Sequence, residues 1–345
     1  RITELYIDGK KIGRQESLCT PHIYDLNEYI GTGIHEMTIC VSNVGYKTKG
    51  GHLTSPDTQT NWNGITGRIE LIGYKNAHAE NVMLWCDIHS KTVRVTADIT
   101  GGKSRKAVIS AESFNSERSH TPEVQSFEYT NGKLDALYKM GDDCLLWSEH
   151  EPNLYKLKID IDGDVSEHII GMREFRTEGG KFTINGEKTF LRGKHDGMIF
   201  PKTAFAPTDL EEWLRVMKIS KSYGMNHYRY HTCCPPEAAF VAADMLGIYM
   251  EPQLPFWGTI TEEGEENHNQ EEQDFLVEEG FNMLKSFGNH PSYCMMSMGN
   301  ELWGSKKILN DIIGGYKKFD NRHLYTQGSN NFQWFPTVSY THLRA

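Results

Sequence analysis

The sequence predicts a multidomain chain in which β-sandwich modules precede an alternating β/α region, and two periodicities carry that prediction. From residue 1 to about residue 175, apolar residues recur at every second position: Leu5 and Ile7; Met37, Ile39 and Val41; Val93, Val95, Ala97 and Ile99; Leu157, Ile159 and Ile161. The turn formers Asp8-Gly9, Asn131-Gly132 and Asp162-Gly163 separate these runs, as hairpins require. After Phe175 strand and helix patterns alternate, which implies crossover connections and a parallel sheet.

The elements follow in order. Arg1 to Ile7 already alternates like a strand, so the sequence is expected to begin inside a domain. A strand over Arg68–Ile72 ends the first module, a polar stretch from Tyr74 to Asn81 marks a boundary, and Val82–Ile88 opens the second module. The hairpin Lys181–Glu187 leads into a first barrel-type strand over Thr189–Gly193. A helix follows, opened by a capping box of Thr208 and Glu211, with Leu210, Trp213, Leu214 and Met217 at helical spacing and Gly224 as its stop. Next come a strand Met225–Tyr230, a helix opened by Pro235-Pro236 and stopped by Gly247, and a strand Ile248–Leu254. Helices over Gln270–Phe287 and Lys306–Phe319 alternate with strands over Tyr293–Met298 and Leu324–Gln327. Five strands and four helices fit either an open sheet or just over half of an eight-stranded barrel.

Composition narrows the function. The 345 residues carry 36 basic and 46 acidic side chains, a net charge of -10, the wrong sign for gripping a phosphate backbone. No apolar run approaches the ~18 residues of a membrane-spanning helix, and the mean hydropathy is -0.55, so neither nucleic acid nor a membrane is an expected partner. Nine acids and no Lys or Arg lie between Thr261 and Gly280, which leaves 37 acids against 36 bases elsewhere. The net acidity therefore belongs to one loop and one helix start, where acids favour the helix dipole. Seven cysteines with no C-x-x-C signal neither a disulfide framework nor a zinc ribbon.

In a parallel β/α sheet functional groups gather at the C-terminal strand ends, where the loops converge on one mouth. These ends supply Arg192, Lys194, His195 and Asp196; then Asn226, Arg229 and His231; then Glu251, Gln253 and Trp257; and finally Asn300, Glu301 and Trp303. Carboxyls, amides and indoles of this kind suit a hydroxyl-rich ligand, and no glycine-rich phosphate loop or nucleophile elbow argues otherwise. Glu301 follows an apolar strand and a glycine, a place where a carboxyl can serve as a general acid on a leaving oxygen.

Several ordered motifs together resemble glycoside hydrolase family 2, the family of β-galactosidases, β-glucuronidases and β-mannosidases. They are TQTNWNGITGRIEL (58–71), GMREFR (171–176), INGEKTFLRGKHDG (184–197), YGMNHYRYH (223–231), GNHPS (288–292) and MGNEL (298–302). The resemblance implies the C-terminal part of a jelly-roll sugar-binding domain over residues 1–75, an immunoglobulin-like sandwich over 76–176 and the first five strands of a (β/α)8 TIM barrel over 177–337. It implies a retaining, exo-acting, β-galactosidase-like hydrolase of carbohydrate O-glycosidic bonds, with Glu301 as acid/base and Asn300 at the hydroxyl next to the anomeric carbon. Arg229 resembles the arginine that holds the nucleophile ionised, His231 a sugar-contacting histidine, and His195 and Asp196 residues lining the sugar subsite. Trp257 is a candidate stacking platform, and Glu251, which departs from the family pattern, is kept as a site residue.

Retention requires a second carboxylate about 5 Å from the acid/base, and the resemblance places it on the seventh strand. That nucleophile is expected beyond Ala345, so the chain alone is expected to be inactive, and residues 338–345 match no barrel pattern and are expected to be an artefactual tail. The alternative reading is a non-catalytic carbohydrate-binding or scaffold protein with a vestigial barrel. A third pairs Glu301 with Glu251 as an independent enzyme. No cofactor is expected; the resemblance implies that magnesium, which some relatives bind, would involve Glu251 or Glu301. Neither the location, cytoplasmic or exported, nor the oligomeric state is written in these residues.

Overall fold

The computed structural model describes residues 1–56, 58, 63–102 and 105–329. The predicted tail over 338–345 lies outside these residues, as does part of the motif over 58–71.

The first module is a three-stranded antiparallel sheet with β1 (Ile2–Ile7) between β2 (Lys10–Glu16) and β3 (Met37–Ser42). Alternation turns Leu5 and Ile7 inward, at 4% and 3% exposure. The expected strand Arg68–Ile72 does not form: this segment runs as coil, with Ile69, Leu71 and Ile72 exposed. Its alternating sequence satisfies the strand pattern, but among the described residues no strand pairs its backbone, and alternation alone makes no sheet.

The second module is a two-layer antiparallel sandwich. One layer orders β4 (His78–Asp87), β5 (Thr92–Thr100) and β8 (Lys133–Lys139). The other orders β10 (Asp164–Ile170), β9 (Tyr155–Ile161), β6 (Lys106–Ser113) and β7 (Gln125–Glu128). The period-two residues meet between the layers: Val93, Val95 and Ala97 of β5 face Ala107, Ile109, Leu157 and Ile159, all nearly or fully buried. A short sheet of β11 (Phe175–Glu178), β12 (Lys181–Ile184) and β13 (Glu187–Thr189) leads out of it.

The β/α region runs β14 (Gly193–Asp196), α1 (Leu210–Ser222), β15 (His227–Tyr230), α2 (Glu237–Leu246) and β16 (Tyr249–Glu251). It continues through β17 (Thr259–Ile260), α3 (Gln270–Phe287), β18 (Met295–Ser297), β19 (Trp303–Gly304), α4 (Lys306–Phe319) and β20 (Leu324–Thr326). β14, β15 and β16 pair in parallel, as do β18 and β20, and the parallel bridges Met250 to Tyr293 and Gln253 to Ser297 join the two sets. Five parallel strands thus stand in chain order with a helix after each of the first four, which is the barrel alternative rather than a doubly wound sheet. β17 and β19 form a separate two-residue parallel ladder past the strand ends.

Helix α3 and helix α4 occupy the expected ranges. Helix α1 differs at its start: Asp209, not Thr208, is the N-cap, and its carboxylate accepts from the Glu212 N–H. α2 ends on Gly247 in the left-handed conformation, with the glycine Cα packed against Ser148 and Glu149 of the second module.

Candidate active site

Pleat alternation sorts the strand-end residues into two sets. In the β14–β15–β16 ladder His195, Arg229 and Glu251 are mutual register partners and share the barrel-interior face. Lys194, Asp196, Tyr228 and Tyr230 take the opposite face, toward the helices. There Lys194 Nζ donates to Asp196 Oδ2 at 2.8 Å and lies 4.8 Å from the Tyr228 ring centre. Asp196, 6% exposed, also accepts from the Met198 N–H at 2.6 Å. This expected subsite residue is therefore turned from the mouth and ties down the turn after β14.

Glu251 needs a second correction. It is on the interior face but completely buried, below the mouth, with His227 Nε2 3.4 Å from one carboxylate oxygen. The strand ends at Glu251, and two residues further on Gln253, equally buried, is the side chain of this strand that bonds to the groups holding Arg229.

The remaining candidates converge. Arg229 donates from Nη2 to Asn300 Oδ1 at 2.7 Å and from Nε to Ser329 Oγ at 2.9 Å. Ser329 Oγ also accepts from Gln253 Nε2 at 3.1 Å, and Gln253 Oε1 takes the Thr232 N–H at 2.9 Å. This chain of contacts fixes the guanidinium across the mouth, from the second strand to the fourth. Nη1 of Arg229 stands 3.5 Å from His231 Nδ1, and because a guanidinium only donates, that nitrogen is the acceptor and the imidazole proton sits on Nε2. His231 lies 4.8 Å from His195 and 6.1 Å from Trp257, ring centre to ring centre. Burial, reinforced by Arg229, His52 and His195, pushes the His231 imidazole down to about 3. His195 is also lowered, by burial and then by Arg229. The imidazoles at this mouth are neutral hydrogen-bonding groups at physiological pH.

Glu301 follows Asn300 at the exposed rim, with φ of +55°. A non-glycine residue in the left-handed region is uncommon, and here the surrounding loop enforces it. Gly299, at φ +139°, presses so closely on Phe256 that a Cβ would lie 2.1 Å from the Phe256 carbonyl oxygen. The Asn300 N–H donates to the same carbonyl and the Glu301 N–H to the Ser329 carbonyl, at 3.2 and 2.8 Å. The backbone thus turns sharply between two fixed anchors and leaves Glu301 exposed at the rim beside Asn300.

One mouth residue comes from outside the barrel and escaped the sequence reading: His52, of the first module, 4.9 Å from His231 and 5.7 Å from Trp257, edge-on to both rings. The signal was two consecutive glycines ahead of a histidine. Cβ atoms on Gly50 and Gly51 would lie 2.1 Å from the Trp257 carbonyl oxygen and 2.6 Å from that of Pro255. Ser329 was likewise not singled out, and Gln253 was placed at its strand end without a role, because the parts they play depend on contacts between distant segments. Among the described residues no group of three or more potential metal ligands comes together.

Sandwich modules ahead of a parallel β/α barrel, with a carboxyl, an amide, a guanidinium and neutral imidazoles at the strand ends, define a multidomain sandwich-plus-barrel protein with a polar mouth. The model of glycosyl hydrolases family 2 matches residues 77–173, and that of the family's TIM barrel domain matches residues 175–342. The chain belongs to glycoside hydrolase family 2. It is similar to a β-galactosidase of Halalkalibacterium halodurans, 24% identical over 340 residues, which cover 93% of this chain and 33% of that protein. It is also similar to a putative β-glucuronidase of Formosa agariphila, 24% identical, covering 87% of this chain and 36% of the relative. The crystal structure of Parabacteroides merdae β-glucuronidase superposes with a TM-score of 0.73 at 17% identity, over 94% of this chain and 44% of that one. A family 2 β-galacturonidase from Eisenbergiella tayi gives 0.71 at 19% identity, over 96% and 59%. The chain spans about a third of the length of these two curated relatives.

Proposed function

We propose that this chain is the acid/base-bearing part of a configuration-retaining, exo-acting β-glycosidase of the β-galactosidase type, with Glu301 as the general acid/base. The observation that carries the reading is the rim position of Glu301, next to an asparagine locked by Arg229. In the first half-reaction Glu301 gives its proton to the glycosidic oxygen as the bond to the anomeric carbon breaks, while a second carboxylate attacks that carbon. In the second half-reaction Glu301, now ionised, takes a proton from the water that releases the sugar. Asn300 serves the hydroxyl beside the anomeric carbon, Arg229 keeps the attacking carboxylate ionised, and His195, His231 and Trp257 wall the sugar. The attacking carboxylate comes from a later barrel strand of the full-length protein, in keeping with the five strands described here and the greater length of the relatives.

Around this site the first module, to about residue 75, is read as part of a jelly roll and the second, to about 176, as an immunoglobulin-like sandwich. The barrel begins near residue 177. The chemistry uses two carboxylates and water, with no cofactor. In the full-length protein Glu301→Gln is expected to slow hydrolysis of aryl glycosides with poor leaving groups by about 10²–10⁴-fold, and activated ones far less. Equal losses on both would overturn the assignment.

A further inference from the structure

The loop after β3 carries the first module into the barrel mouth, and it is built to hold one ring there. Gly50 and Gly51 lie flat on the backbone of residues 255–257, and Leu53, 5% exposed, inserts into the barrel's own apolar core. Between them the His52 N–H donates to Thr232 Oγ1 at 3.0 Å, and the His52 carbonyl accepts from Thr58 Oγ1 at 3.0 Å. The imidazole rests on Gly197, just past β14, where a Cβ would stand 3.1 Å from its Cε1. A glycine here is what lets the ring approach. Backbone anchors on both sides of His52 make the loop's attachment independent of the imidazole, whose buried Nδ1 has no hydrogen-bond partner among the described residues. The ring stays neutral, lowered by burial and by His195, so its Nε2 offers a hydrogen bond rather than a charge.

We propose that His52 is a sugar-contacting, specificity-determining residue of this site, contributed by the first module and completing with His195, His231 and Trp257 a wall that reads a hydroxyl of the bound glycoside. The proposal rests on the mouth being a glycoside site. A neutral imidazole positioned by a loop that would hold without it is a recognition element, and the loop itself makes the sandwich module part of the binding pocket.

Calorimetric titration of the full-length protein with galactose and with glucuronate tests this. His52→Ala is expected to weaken binding of whichever sugar the wild type takes by about tenfold, the loss of one hydrogen bond and its ring contact, and His52→Gln to recover part of it. With an aryl glycoside His52→Ala should raise KM by a similar factor and leave kcat within about threefold. Leu53→Ala, which loosens the loop without removing the ring, should lower Tm and spare affinity. Unchanged affinity in His52→Ala overturns the proposal, as does a Leu53→Ala variant that loses as much affinity, or a wild type that binds neither sugar. Glu301→Gln separates the two readings: unaltered turnover there removes the acid/base assignment, whereas His52 is judged by affinity alone.

Discussion

The two ends of the barrel are built on opposite principles. At the lower end, beside the second module, ionic groups are buried and paired with one another or with backbone carbonyls. Arg173 donates to the carbonyls of Pro291, Arg322 and Tyr293. Arg322 forks onto Asp320 and reaches the Leu84 carbonyl and Asn289. Burial alone would raise the Asp320 carboxyl, but His323 and Arg322 outweigh it and hold that group well below the usual carboxylate range. Trp147, wholly buried, donates from its indole to the Asp244 carbonyl. At the upper end the described ionisable groups are imidazoles held neutral, a guanidinium strung between amide and hydroxyl, and a rim carboxyl in strained backbone. One end spends its polar groups on joining modules, and the other leaves them at the open strand ends.

Four substitutions or titrations sharpen this contrast. The largest effect is expected from Glu301→Gln, the kinetic loss stated above with Tm moved by no more than a degree or two, since an exposed rim carboxyl carries little packing. Trp147→Ala should do the reverse: a loss of about 3–5 kcal/mol of stability by denaturant unfolding, with KM of the folded enzyme unchanged. A large KM shift would mean the two ends are coupled. Glu149→Gln comes next. Its buried carboxylate accepts from Arg192 at 3.1 Å and from Asn226, so the change should cost about 1–3 kcal/mol without altering kcat.

The last test is a pH dependence. His231 is lowered in the folded protein relative to its ordinary value near 6.5, so the unfolded chain binds the proton more readily. Its contribution is constant above about pH 6.5, and stability falls as pH drops from there toward about 3. Urea midpoints measured across that window should fall less steeply in His231→Asn, and parallel curves for the two proteins would contradict the neutral, buried imidazole.

Where local pattern and local partner coincide, the elements were legible from residues alone. Helices α3 and α4 were, and so was the alternation of β5 and β9, because each buries an apolar face at its own period. Arg68–Ile72 has the pattern and not the partner, and it is coil. Of the strand-end residues, the fold brings Asn300, Arg229, His195, His231 and Trp257 into contact with one another, with Glu301 next to Asn300 at the rim. The strand-end rule overreached at Asp196 and Glu251, because position near a strand end does not say which face of the pleat a side chain takes or how deep it lies. His52 was invisible for the converse reason: its relevance comes from contacts with residues about 180 and 205 positions away, His231 and Trp257.

The sequence by itself determined the order of modules, the parallel β/α grammar after Phe175 and the family, since these are written in short periodicities and in contiguous motifs. Only the tertiary structure decided which charged residues gather at the strand ends and which join modules, and that a loop of the first module enters the barrel mouth. Both depend on pleat direction, burial depth and backbone approach, which arise when segments far apart in the chain are packed together.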